Sequence, residues 1–170
     1  MDTVCRIVDR FSRWLAYFSG AVIFLIVLLQ LSEIISRNLF GVSLSIVWEV
    51  TAYMHIAAIF LAAAFTLRSG GHIRVTLFQS LNPRLFEVAG TLVGLLISAF
   101  LSFALVSLAR QYGISGRTSG TTNNIPLVYP AALVAFGSVM LTLQLILRLY
   151  QSLAGRSVEI AHEAVSLAAD

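Results

Sequence analysis

The chain has no lysine, one cysteine, three prolines and few charges: Asp, Glu, Lys and Arg make up 11% of its 170 residues. So low a charge content excludes a disordered chain. With 58% hydrophobic residues and a mean hydropathy of +0.89, it also argues against a soluble domain. The lone thiol, Cys5, excludes an internal disulfide and reads as a free thiol without a role. Catalytic patterns are missing too. There is no Ser/His/Asp set, no pair of intramembrane carboxylates, no HExxH, and no GxxxxGKS/T loop to hold ATP phosphates. The 11 basic residues, all arginine, flank apolar runs and form no soluble patch, so nucleic acid is not an expected partner.

What is present is four long apolar runs, at about residues 14–35, 48–67, 85–108 and 127–149. A run of about 20 residues crosses a hydrocarbon core of about 30 Å at about 1.5 Å per residue. Backbone in lipid must satisfy its own hydrogen bonds, so each run predicts a transmembrane helix. The expected fold is an all-α integral membrane protein, with a four-helix transmembrane domain over 14–150 and a tail over 151–170. The arginines orient it. Arg6, Arg10, Arg13, Arg68, Arg74, Arg84, Arg148 and Arg156 fall on one side, against Arg37, Arg110 and Arg117 on the other. The positive-inside rule then places both termini in the cytoplasm. The basic start and first apolar run look like a signal peptide. The run is too long for one, however, and no small-residue cleavage site follows it, so a retained first helix is expected.

Shorter segments fit the same membrane. Val4, Ile7, Val8 and Phe11 recur at helical spacing, predicting an amphipathic surface helix over 1–13 or else an extension of the first span. Ile73, Leu77, Phe78 and Leu81 predict a second surface helix. Asn82 and Pro83 read as the cap and first residue of span three. The connection over 36–47 is short, so spans one and two form an antiparallel hairpin. The connection over 109–126 is the most polar, with turn chemistry from Gly113 to Asn124, and faces outward. Pro126 and Pro130 stand near the start of span four, where a missing backbone donor costs little. Trp14, Trp48, Tyr112, Tyr129 and Tyr150 sit at span ends, as interfacial aromatics do.

Ionisable and small residues inside or beside the spans are the functional candidates. Glu33 and Arg37 have the i,i+4 spacing of an interfacial ion pair, and Arg84 with Glu87 makes another end pair. Glu49, at the start of span two, either snorkels or contacts a partner's Arg or Lys or backbone amides. His55 is the one ionisable side chain well inside a span. Without a second histidine at its depth it reads as a hydrogen-bonded packing residue, not a haem or metal ligand. Arg68, His72 and Arg74 cluster on the cytoplasmic side, close to anionic headgroups. Gly90, Gly94, Ser98 and Ser102 repeat every four residues, which lets helices approach closely, either within the unit or against another membrane protein. Transporters need polar or broken helices near the midplane. These spans are mostly continuous and apolar, so the chain reads as an accessory subunit.

The run from Arg37 through Trp48-Glu49 to Arg68-Ser69-Gly70-Gly71-His72-Ile73-Arg74-Val75, with Ile125-Pro126-Leu127-Val128-Tyr129-Pro130, resembles the small membrane subunit (DctQ-type) of tripartite ATP-independent periplasmic (TRAP) transporters. Val50, Thr76 and Asn82 depart from the family's usual pattern. The resemblance implies a multi-pass protein of the bacterial inner membrane that packs on a large transport subunit. A periplasmic solute-binding protein delivers an organic acid, and uptake is sodium-coupled. It also implies that sodium and solute sites belong to the large subunit, and that this chain holds no cofactor. Two other classes compete: a haem-carrying anchor of a redox enzyme, which a Soret band would reveal, and a stand-alone small transporter, which uptake by this chain alone would reveal.

Overall fold

The apolar runs fold into four helices in the computed structural model, which describes residues 2–68 and 83–153. They are α1 (Asp2–Phe40), α2 (Ser45–Arg68), α3 (Pro83–Ser115) and α4 (Val128–Leu153). All four are long and apolar enough to cross a membrane. Among the described residues the β structure is limited to an isolated bridge between Thr118 and Pro126.

Two helix boundaries differ from those expected. α1 holds 39 residues, or about 58 Å of helix. Residues 2–13 therefore continue the helix of the first span without a break. The local reason is that no glycine or proline interrupts the chain before Gly20. The helix stops where Gly41 adopts φ +68°. There the Val42 N–H donates to the Ser36 carbonyl at 3.4 Å and the Ser36 hydroxyl donates to the Val42 carbonyl at 2.9 Å. A left-handed glycine of this kind ends a helix without strain. α3 likewise continues past residue 108 to Ser115 and stops at Gly116, with φ +60°. Its start at Pro83 fits a proline at the first helical position. The surface helix expected near 73–81 and the tail beyond Leu153 lie outside the described residues.

The helices pack in the order α1, α2, α4, α3. Lipid tails are as apolar as leucine, so packing and hydrogen bonds must hold such a set together. α1 and α2 run antiparallel, tied by the Ser19 hydroxyl donating to the Ala58 carbonyl at 2.7 Å and by Gln30 Nε2 donating to Thr51 Oγ1 at 2.8 Å. α3 and α4 are joined by Ser102 and Thr142, whose hydroxyls lie 2.9 Å apart. Near its N-terminal end α1 also reaches α4. Gln144 Nε2 donates to Ser12 Oγ at 2.8 Å, and the Phe11 and Phe136 rings meet edge to face at 6.2 Å.

α2 and α4 approach closely at Gly137. α2 buries Ala57, Ala58, Leu61 and Ala64, and α4 buries Val134, Ala135, Gly137 and Ser138. A Cβ on Gly137 would lie 2.7 Å from the carbonyl carbon of Phe60 and 2.8 Å from its carbonyl oxygen and Cβ. Backbone cannot yield as a side chain can, so the two helices would have to separate. Gly137→Ala should therefore destabilise the isolated chain in detergent by about 1–3 kcal/mol, the usual cost of overpacking, and Gly137→Leu by more. Gly90 has nothing within 4 Å of its Cβ position, so Gly90→Ala should leave the unfolding transition unchanged. Equal transitions for the Gly137 variants and the parent would contradict this packing.

Candidate functional site

The polar groups gather at the end of the molecule that carries the connections 41–44 and 116–127. Glu49 lies near the start of α2, and its carboxylate is a hub. Oε1 accepts from the Tyr53 hydroxyl, one turn on, at 3.1 Å. Oε2 accepts from the Thr121 hydroxyl at 2.5 Å and from Asn123 Nδ2 at 2.9 Å. Hydrogen bonds to an ionised acceptor are the stronger kind. The loop that supplies these donors is itself well folded. The Ser119 N–H donates to the Ile125 carbonyl at 2.8 Å and the Leu127 N–H to the Arg117 carbonyl at 3.0 Å. The Ile125 N–H returns a bond to Ser119 Oγ at 3.0 Å, and Asn124 takes φ 49° at the tip, a conformation asparagine tolerates.

Within this chain Glu49 thus binds the connection between α3 and α4. Thr121, Asn123 and Tyr53 escaped the sequence reading. Thr121 and Asn123 looked like ordinary turn residues, and the i,i+4 spacing of Glu49 and Tyr53 was the one signal available.

Arg37 sits beside this hub. Its guanidinium lies 5.8 Å from the centroid of the Trp48 ring and 3.8 Å from Glu33 Oε2. The expected pair is present, but Glu33 is fully buried while Arg37 stays exposed. Its other oxygen accepts from the Ser43 hydroxyl at 3.3 Å. Burying an acid of this kind is costly unless it is paired, so Arg37 and Ser43 are what makes the position tolerable. At the opposite end Arg148 of α4 reaches the carbonyl of Leu67, in the last turn of α2, at 3.5 Å. A cation belongs at a helix C-terminus, and the sequence held no local sign of this cross-helix reach.

The other candidates fall in different places. His55, read as a hydrogen-bonded packing residue, is exposed on α2. Its periodic position, turned away from the buried Ala57 and Leu61, is the reason. The small-residue stripe of α3 divides. Ser98 and Ser102 are buried, Gly94 faces the Leu145 side chain of α4 with 3.7 Å to spare for a Cβ, and Gly90 is exposed. The stripe's lower part therefore packs inside this chain.

Pro130 stands in the first turn of α4, and the carbonyl of Pro126 accepts from the Tyr129 N–H at 3.4 Å. Arg68 ends α2, and its side chain, like those of Arg84 and Glu87, lies outside the description, as do His72 and Arg74. Trp14, Trp48, Tyr129 and Tyr150 are all exposed, whereas Tyr112 is half-buried with the Arg117 guanidinium 6.0 Å from its ring centroid. Among the described residues no three His, Cys, Asp or Glu side chains converge.

A family model described as the DctQ component of the tripartite ATP-independent periplasmic transporters matches residues 23–155. That stretch takes in α2, α3, α4 and the part of α1 from Ile23 onward. No curated protein and no solved structure matches the chain.

The Glu49 hub has a direct consequence for the loop. Glu49→Leu removes the acceptor for Thr121 and Asn123, so backbone amides over 117–127 should exchange hydrogen faster than in the parent, while those of α4 stay protected. Glu49→Gln keeps one acceptor oxygen and should fall between. Hydrogen-exchange mass spectrometry of the detergent-solubilised chain reads this. Unchanged exchange across the loop in Glu49→Leu would show that Glu49 does not hold it.

Proposed function

We propose that the chain, which belongs to the DctQ component family of the tripartite ATP-independent periplasmic transporters, packs on the large membrane subunit of such a transporter and steadies its static part. It is a multi-pass protein of the inner membrane and a transport component, not an enzyme. Family membership sets the redox-anchor reading aside. In the proposed arrangement a periplasmic binding protein delivers an organic acid, and the large subunit moves it inward on a sodium gradient. The arginine distribution puts both termini, with Arg68, His72 and Arg74, at the cytoplasmic headgroups. The connections 41–44 and 116–127 then face the periplasm. This chain holds neither the sodium nor the solute.

One observation carries the reading. Five of the polar contacts buried within the helices tie helix to helix or bond a helix's own backbone. Ser12 pairs with Gln144, Gln30 with Thr51 and Ser102 with Thr142. Ser19 bonds the Ala58 carbonyl, and Ser138 bonds the Ala135 carbonyl in its own helix. A solute path needs polar groups that are free to replace hydration. Groups committed to helix contacts make a support instead.

The test is uptake of a panel of radiolabelled organic acids by cells expressing the binding protein, the large subunit and this chain in all combinations. Uptake should need all three and fall to background when this chain is omitted. This chain alone should give none. Parental uptake by the large subunit and binding protein without it would refute the proposal.

A further inference from the structure

Outward-facing surface in this molecule is overwhelmingly apolar, as it is for any protein solvated by lipid. α1 exposes Phe24, Val27, Leu28 and Leu31, and α3 exposes Leu96, Ile97, Phe100 and Phe103. One face breaks the rule. On α2, Trp48, Ala52, His55, Ile56 and Ile59 are all exposed. Their spacing of three and four residues puts them on one side, away from the buried Ala57, Ala58, Leu61 and Ala64.

His55 lies about 15 Å along α2 from its start. An imidazole has a donor and an acceptor whatever its tautomer. Its side chain is too short to carry them to a headgroup region, as a long arginine or lysine does by snorkelling. Among the described residues nothing hydrogen-bonds to His55. Lipid tails offer nothing either. Ionisable groups at such depth face protein or water, not hydrocarbon.

We infer that the face Trp48, Ala52, His55, Ile56 and Ile59 of α2 is where the large membrane subunit docks, with a hydrogen-bonding group of that subunit, a hydroxyl, carboxylate or free backbone carbonyl, opposite His55. This rests on the reading of the chain as the small subunit of a tripartite system. The neighbours of His55 suit the role. Ala52 allows close approach of a helix, and Ile56 and Ile59 supply shape on either side. Trp48, already held under the Arg37 guanidinium, closes the face at the end nearest the 41–44 connection. The small-residue stripe of α3, the other candidate, is largely committed to α4.

The test uses the complete complex, with this chain co-expressed with its large subunit. A photo-crosslinking benzoylphenylalanine replaces Ile59 on the proposed face or, separately, Phe100 on α3. After irradiation in membranes, adducts are identified by mass spectrometry. Capture of the large subunit from position 59 is the expected result. In parallel, His55→Leu should lower recovery of the large subunit with the tagged chain about tenfold, the size of one good interhelical polar contact, and His55→Gln should restore most of it. The detergent stability of the isolated chain should not change, because His55 is exposed and, among the described residues, no hydrogen bond depends on it.

Four outcomes overturn the inference while leaving the small-subunit reading intact. These are capture of the large subunit from position 100 but not 59, no capture from either position in a complex that still co-purifies, capture from position 59 of a second copy of this chain instead, or full recovery with His55→Leu. Failure of the parent chain to co-purify with the large subunit at all would overturn that reading, and the inference with it.

Discussion

Everything else in this fold hangs on how near α4 comes to α2 at Gly137. In water, two apolar helices associate because burial removes apolar surface from solvent. In lipid that gain disappears, and helices hold together only as well as their surfaces interlock. At Gly137 the missing side chain lets backbone meet the backbone of Phe60, closer than any Cβ would permit. The seam joins two hairpins, α1 with α2 and α3 with α4; among the described residues α1 meets α4 only lightly. Each end of the seam carries a polar tie: Glu49 to Thr121 and Asn123 at one end, Arg148 to the Leu67 carbonyl at the other. A close-packed middle with hydrogen-bonded ends resists both separation and twisting, which a static support needs.

The distribution of polar side chains separates structure from function in the same terms. Gln30, Thr51, Ser102, Thr142, Ser12 and Gln144 all lie in helices and all find partners across a helix interface. They cost little because they are satisfied. Glu33 is the expensive member, a buried acid held by a serine and a single distant arginine. His55 differs from all of these because it points away from the unit. A satisfied polar group inside explains a fold, whereas an unsatisfied one on an outward face in hydrocarbon asks for another protein.

Much of the architecture was legible without coordinates, because length and apolarity decide whether a segment spans lipid. The four spans and the family both follow from that and from a few spaced motifs. The ends of the helices were less legible. Helix α1 runs through residues whose amphipathic spacing suggested a surface helix, since nothing in them stops a helix until Gly41. α3 passes through Gly113 and stops at Gly116, because only the second takes a left-handed φ; a run of loop-forming residues does not say which glycine will turn. Pairing of α2 with α4 was hidden for a different reason. Alanine and glycine announce that a close neighbour exists but not which one. The every-four pattern in α3 drew attention, while the tighter contact belonged to Gly137, which sits in no such repeat. Glu49 and His55 were each singled out, but their surroundings were not, because facing direction within a span depends on neighbours that a single sequence does not show.

In the proposed complex the two hairpins form one unit that keeps its shape while a partner works. Pulsed electron paramagnetic resonance between spin labels on α1 and α3, the two helices at opposite ends of the packing order, measures this directly. Phe24 and Ile97 are exposed and suitable, with Cys5 replaced by serine so that only the introduced cysteines react. One narrow distance is expected, the same in the isolated chain and in the assembled transporter, with or without sodium and solute. A broad distribution, or a distance that shifts when sodium and solute are added, would contradict it.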